Sequence, residues 1–575
     1  MERLEAKRIS GRTYYYYSKW EWKDGRCRRV WQRYLGTAEK IARIVEGGGP
    51  TPKYAEVFQW GLPNALWAQC IDAGVVERID RRCRKRGQGL STGQYLAIAA
   101  INRAMCPKSK RAMWEWFSGT VLMRRFPKAS RASLTSQRFW DHMDRIDEQA
   151  ARNIWKDTLQ SVIRREQLDL ASISYDGTNF YTFIDTFNTR CQIARRGKNK
   201  QGRCNLRQIN YALFCCADGQ IPLFYDVYEG NRNDAKQFPI MLERFATFFR
   251  EVAGNKVEVP ETTLVFDKGN NSAENFHLLD SLPLRFVGSV KLDEHKDLAE
   301  VHNSDARFQA TRAHPEGTKS FRVKKQVYGR ERVLVVTYNQ NLFNAQWLTL
   351  QVDIQRAVER LAVLQQRLDD RRNGLIKGGR SPTMQSVKSQ SQTILKRQHL
   401  KRIIRVTITS DANSLPRLEY TIDTEALQEL SETYLGKNVL ITDREDWDDV
   451  QIIRAYRSQF LIEDVFKQTK DRETGAWWPL NHWTDSKIKV HALYCTIGLL
   501  LRALMLRRVK AAGVRITTKR LLHELDTIRE VVNIYPRSGK QKTERKQTVL
   551  TKTSELQQNI MAIVGIAGTE MRALG

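Results

Sequence analysis

The order of apolar runs between Leu170 and Leu292 constrains the fold more than any other feature of this chain. "LASISYDGTNFYTF" alternates like a strand, and "NLRQINYALFCCADGQIPLFYDVYEGN" reads as two strands joined at an Asp218-Gly219 turn. "DAKQFPIMLERFATFFREV" carries a helical period, "TTLVFDKGNNSAENFHLL" is a short strand and then a helix, and "LRFVGSVKL" is a further strand. Strand, strand, strand, helix, strand, helix, strand predicts a mixed sheet with helices on its faces.

Two of these strands end on an acid. Asp176 and Asp267 each follow a short apolar run. In a sheet of this order both strand ends can lie side by side. Adjacent carboxylates repel and lose hydration, so they need a counter-cation. Hard oxygen ligands with open positions suit Mg²⁺. Two such ions about 3.5–4 Å apart activate a water or a 3′-OH and stabilise the leaving oxygen of a phosphodiester. A third acid completes a site of that kind.

"DDVQIIRAYRSQFLIEDVFKQTK" reads as one long amphipathic helix and offers Glu463. Tyr456, Glu463 and Lys470 are evenly spaced along it, seven residues apart. Seven steps fall about 20° short of two turns, so the three share a face. Lys470 lies about 10.5 Å along the axis from Glu463, placed to grip a neighbouring phosphate. Asp226, Glu229 and Asp234 lie near the third strand and are read as acids outside the metal site.

Charge says what such a site would act on. Lys and Arg number 95 against 64 Asp and Glu, a net +31. A surplus of that size attracts polyanions, nucleic acid first. A membrane surface is the competing polyanion. The longest charge-free apolar run, "ALYCTIGLLL" from Ala492 to Leu501, is about half a membrane span and predicts a buried helix. No apolar h-region opens the chain, so no secretory signal is expected. Nine Cys lack any CxxC pair, which argues against structural zinc and fits reduced thiols in a cytoplasmic protein.

A chain of 575 residues predicts two to four domains. Residues 1–60 read as a β-hairpin module turning at Asp24-Gly25, with basic strands that suit either solvent or DNA. Residues 61–165 read as a helical DNA-binding domain, with Ser91 and Thr92 as cap candidates. Residues 166–292 form the first part of a catalytic core, 293–445 an inserted unit, and 446–510 the second part, with the Glu463 helix. Residues 511–575 form a basic region, loose beyond about Ile534. Arg195, Arg196, Lys198, Lys200 and Arg203 make a basic loop expected to touch a DNA backbone. Trp477 and Trp478 are either core or a platform for an unpaired base. His491 is expected to be a hydrogen-bonded core residue.

The motifs together resemble the DDE transposases of bacterial insertion sequences. "SYDGTNF", "FDKGN" and "YRSQFLIEDVFKQTK" stand in the order of that family, in the branch with a strand-rich insertion and a Tyr-Arg-Glu-Lys signature. Tyr456, Glu463 and Lys470 match the signature. Its Arg position falls on Gln459, and Arg457 is expected to point elsewhere round the helix. The second acid is usually in Asp-Arg-Gly. Here Asp267-Lys268-Gly269 keeps the positive charge. "YEGNRNDAKQF", "WWPLNHWTDSKIKVHALYC", "DGRCRRVWQRYLG" and "NRAMCPKSKRAMWEW" are also similar to this branch, and the resemblance spans roughly Tyr14 to Met505.

The resemblance implies a multidomain α/β chain with an RNase H-like core split by an insertion domain. Asp176, Asp267 and Glu463 are then the Mg²⁺ ligands, two ions per site, with Mn²⁺ able to substitute. It implies cutting double-stranded DNA at transposon-end inverted repeats, joining of 3′-OH ends to target DNA, and a homodimer on DNA at the bacterial nucleoid. Tyr456, Lys470 and Lys268 become DNA contacts. Two other readings remain: a DNA-binding regulator that keeps the fold without the chemistry, and a metal-dependent nuclease indifferent to end sequence.

Overall fold

In the computed structural model the chain begins with β1 (Glu2–Ile9), β2 (Arg12–Lys23) and β3 (Arg26–Gly36), paired antiparallel in that order. The structure describes all residues except 24, 47–50, 84–88, 199–201, 254–261, 411–414, 474–476, 537–543 and 569–575. The expected hairpin is therefore a three-stranded sheet, and Asp24 of its turn lies outside the described residues. After β4 (Tyr54–Gln59) the elements between Gly61 and Glu166 are all helices among the described residues, as the periodicity requires. Ser91 caps the helix Thr92–Met105: its hydroxyl accepts from the Gln94 amide, and the Gln94 side chain accepts from the Ser91 amide.

Next come β5 (Ser172–Thr182), β6 (Arg195–Arg196), β7 (Arg207–Cys216), β8 (Pro222–Glu229), β9 (Thr263–Val265), β10 (Arg285–Val290), β11 (Thr318–Val327) and β12 (Arg330–Asn339). The chain then leaves the sheet for the helix Gln340–Arg372, two further helices, a hairpin of β13 (Ile404–Ser410) and β14 (Pro416–Ile422), and the helix Thr424–Thr433. Leu350, Ile354, Leu361, Val387, Ile403 and Leu430 are among the residues that give this excursion its own core. It returns as β15 (Lys437–Thr442).

The central sheet runs β11-β12-β15-β10-β9-β5-β7-β6, with β8 also on β7. β9 is parallel to both β5 and β10, and the other pairs are antiparallel, so the sheet is mixed as expected. One face is covered by the helix Asp234–Ala253, where Phe245 stacks on Phe214 at 4.1 Å and Phe238 meets Tyr175 at 5.0 Å. The other face carries Trp155 against Tyr225 and the Tyr211 hydroxyl against Thr496.

The inserted unit is narrower than the expected 293–445. β11, β12 and β15 extend the sheet, with Val333 opposite Thr442 and Val335 opposite Leu440. That register lines Val333, Val335 and Leu440 up with Val287 and Val265 in one apolar cluster. Only the segment between Asn339 and Gly436 stands outside, and the Asn339 amide donates to the Gly436 carbonyl at 2.8 Å.

The C-terminal region is not loose where it is described. β16 (Arg529–Tyr535) pairs with β17 (Arg545–Leu550) and with β4. Its buried Glu530 takes the Arg124 guanidinium. Ser554 and Gln557 then cap the helix Glu555–Ile563. Two compact units result: one of Met1–Gln69, Ala112–Leu134 and Arg508–Gly575, and one of Cys70–Arg111 and Thr135–Arg507. The helical segment 61–165 is thus shared between units rather than being one domain. The helix Asp485–Ala511 is long and apolar enough to cross a membrane, but 94% of its apolar window is buried within the protein, as expected of a core helix. None of the nine cysteines is in a disulfide.

Candidate active site

β5 and β9 fix the first two acids. Ser172 pairs with Thr263, Ile173 with Leu264 and Ser174 with Val265. The pairing ends there, two residues before Asp176 within β5 and two before Asp267, which follows β9. Asp267 keeps an extended backbone, φ −88 and ψ 156, so its side chain stays on the face of Val265. On that face Val265 packs with Ile452, Ile453 and Tyr456 from the helix after the insertion. Both acids are half-buried.

That helix is not continuous. It breaks at Ser458 into Asp449–Arg457 and Gln459–Lys470. Neither Gly nor Pro stands at the break, so composition gave no sign of it. Beneath the break lies a cavity of about 290 Å³ whose walls include Asp267, Glu463, Tyr456, Arg457, Gln459 and Thr318. Tyr456 and Glu463 both line it, although the break between them removes the continuous-helix spacing that predicted this. Arg457, expected to point elsewhere, also lines the cavity, and its guanidinium donates to Thr318 Oγ1 at 2.9 Å. Gln459 is buried there.

The Tyr456 hydroxyl donates to Ser289 Oγ at 2.8 Å and reaches Asp267 Oδ1 at 3.4 Å. Burial pushes its pKa up to about 12, and the charges of Asp267 and Glu463 push the same way. It is therefore a neutral donor at physiological pH. Ser289 escaped the sequence reading. The alternation of "FVGSV" places it on the face of Val287, which is the signal that finds it.

Lys470 sits further along. Its Nζ lies 5.8 Å from the Phe180 ring centre, and Phe180 shares a face of β5 with Asp176. The lysine thus stands over the Asp176 strand rather than in the Glu463 cavity. Lys268 is exposed beside Asp267. Among the described residues no three His, Cys, Asp or Glu side chains are gathered closely enough to hold a metal ion. Asp267 and Glu463 line one cavity, and Asp176 is not among its walls.

Of the other acids, Asp226 faces away and Glu229 lies on the face of Asp176 but two strands over. Asp226 lies in the row of Ala212 and Gly177, on the opposite side of the sheet from Asp176, and pairs with Arg244. Glu229 pairs with Arg232 at 3.1 Å. In the basic loop Arg195, Arg196 and Lys198 are exposed at the β7 edge. Arg195 donates to Gln192 at 2.7 Å and Arg196 to Thr186 at 2.9 Å. Lys200 lies outside the described residues.

Trp477 is a core residue, not a base platform. It is 0% exposed and stacks on Phe180 at 4.5 Å. The half-buried Trp478 meets Tyr181 at 5.0 Å. His491 is buried as expected: its Nε2 lies 2.9 Å from the Trp477 carbonyl and Tyr494 holds its Nδ1.

No family model matches the chain, and no curated protein matches it. Among solved structures it is similar to a piggyBac transposase in a synaptic complex with hairpin DNA, 11% identical, over 80% of this chain and 79% of that one, with a TM-score of 0.34.

Proposed function

We propose that this chain is a DDE-type DNA transposase with an RNase H-like core. It cuts double-stranded DNA at transposon-end inverted repeats and joins the 3′-OH ends to target DNA. One observation carries this reading. It is the parallel β5–β9 pairing, which runs to Ser174 opposite Val265, two residues short of Asp176 and of Asp267.

The donor set fits Mg²⁺ in kind, three hard carboxylates and no soft ligand. Asp176, Asp267 and Glu463 would hold it, with Mn²⁺ accepted by the same oxygens. The bound metal would activate the attacking hydroxyl and neutralise charge on the leaving oxygen. The chain's own residues do the rest. Tyr456 orients the Asp267 carboxylate. Arg457, Lys268 and Lys470 offer cations to phosphates on either side of the two acids. The net +31 draws the duplex to that face. Joining two ends calls for two copies of the chain, so the working form is a homodimer on DNA, in the cytoplasm of a bacterium.

A cleavage assay on DNA flanking the gene, with Mg²⁺ or EDTA, tests this. Asp176→Asn, Asp267→Asn and Glu463→Gln should each lower cutting about 10²–10³-fold or more and leave binding intact. Full cutting by any of the three removes that residue from the site. Binding without metal-dependent cutting by the wild type would favour the regulator. Arg457 and Gln459 line the same cavity, so a cation stands close to the usual Arg position.

A further inference from the structure

The N-terminal sheet has two unlike faces. Directly paired residues share a face. One face carries Tyr14, Tyr16, Trp20, Glu5 and Gln32, and it is knitted together. Glu5 accepts from Trp20 at 2.5 Å and from Gln32 at 3.1 Å, and Arg3 lies 4.8 Å over the Trp20 ring. The other face runs in rows: Leu4, Tyr17 and Arg33; Glu2, Lys19 and Trp31; Glu21 and Arg28; Lys23 and Arg26. Tyr17 is 37% exposed and Trp31 40% exposed. Lys23, Arg26, Arg28 and Arg33 are all exposed, and among the described residues Glu21 forms its salt bridge with Lys19 instead. Residues 1–36 hold ten Lys and Arg against four Asp and Glu.

We propose that this second face, with Arg26, Arg28, Arg33 and Trp31 along its β3 edge, binds double-stranded DNA by lying in the major groove. A sheet that leaves large rings and exposed guanidiniums in water awaits a partner. A second copy of this surface would bring like charges together, which excludes self-docking. A polyanion suits it. Three strands span about 10 Å between outer axes, and the major groove is about 12 Å wide. Guanidinium forks match guanine edges and phosphates there. Tyr17 and Trp31 lean on each other at 5.5 Å and 60°, so the pair offers no flat platform to a single strand. The assignment does not rest on the cleavage chemistry; a binding-only protein would use the face in the same way.

The test uses the full-length chain and three probes: a labelled 30-bp duplex, one of its strands alone, and phosphatidylglycerol–phosphatidylcholine vesicles. Affinity is read over a salt series for wild type, for the triple variant Arg26→Ala/Arg28→Ala/Arg33→Ala, and for Trp31→Ala, with circular dichroism to check folding. The triple variant should bind duplex more weakly, its log–log salt slope smaller by about 3. Trp31→Ala should weaken duplex binding and leave that slope unchanged. An unchanged duplex slope in the folded triple variant would overturn the proposal. A change confined to the single strand or to the vesicles would overturn it too, and would reassign the face to that partner.

Discussion

The Tyr456 hydroxyl stands 2.8 Å from Ser289 Oγ and 3.4 Å from Asp267 Oδ1, joining residues 189 positions apart in sequence. One phenol thus ties the helix after the insertion to β10 and to the acid that follows β9. Tyr456→Phe should lower stability by about 1 kcal/mol in urea unfolding. Ser289→Ala should cost a similar amount, and the double variant less than the sum, because both remove the same bond.

Trp477 offers a sharper contrast. Its indole fills the space between Phe180 and Tyr211. Trp477→Ala should cost about 3–5 kcal/mol, read as a fall in the urea midpoint. Trp477→Phe should cost less and leave DNA affinity at the wild-type value, since no base reaches a ring that is 0% exposed.

Asp280 and Arg332 tie the helix Ala273–Ser281 to β12. Their side chains are 6% and 2% exposed, the oxygens lie 2.8 and 3.0 Å from one guanidinium nitrogen, and that guanidinium also lies 5.0 Å over Phe276. Asp280→Ala leaves a buried unpaired cation, so the expected loss is about 3–5 kcal/mol. Thermal unfolding would show it.

Burial pushes the Lys437 ammonium from 10.5 down to about 8, although its Nζ donates to the Ala299 and Val301 carbonyls. Between those values the unfolded chain binds a proton that the folded chain does not. Stability from this group therefore rises with pH through the window and is complete above about 10.5. Urea midpoints from pH 7.5 to 10.5 should rise less steeply in Lys437→Met than in wild type, the difference amounting to about 3 kcal/mol.

What the sequence disclosed follows from how local each signal is. β5, β7, β8, β9 and β10 each carry their own alternation, and Asp218-Gly219 marks its turn, with Gly219 at φ 79. Ser91 announces its helix by the residue three places on. Asp267 was visible because it follows such a run, whereas Asp176, read as a strand end, lies inside β5 opposite Leu213. The pairing of Val333 with Thr442 was not, because it joins strands across an excursion with its own core. β16 hid its alternation: of its inward residues Glu530, Val532 and Ile534, the first is a charge that becomes buried only against Arg124. Arg457 was misplaced because the helix was read through Ser458 as one piece. Trp477 was left open because adjacent tryptophans look alike in sequence and differ only in what covers them.

The excursion between Asn339 and Gly436 has a consequence for the order of assembly. Its two ends are hydrogen-bonded neighbours, and its core is separate from that of the sheet. Once it condenses, β15 reaches β12 as if across a tight turn, and closing that long loop costs little extra entropy. A growing chain presents Asp176 and Asp267 first and Glu463 only after the excursion has been made and folded. Synthesis proceeds from the N-terminus, so the third acid arrives last. On the proposed reading, Glu463 completes the site only after the excursion has emerged.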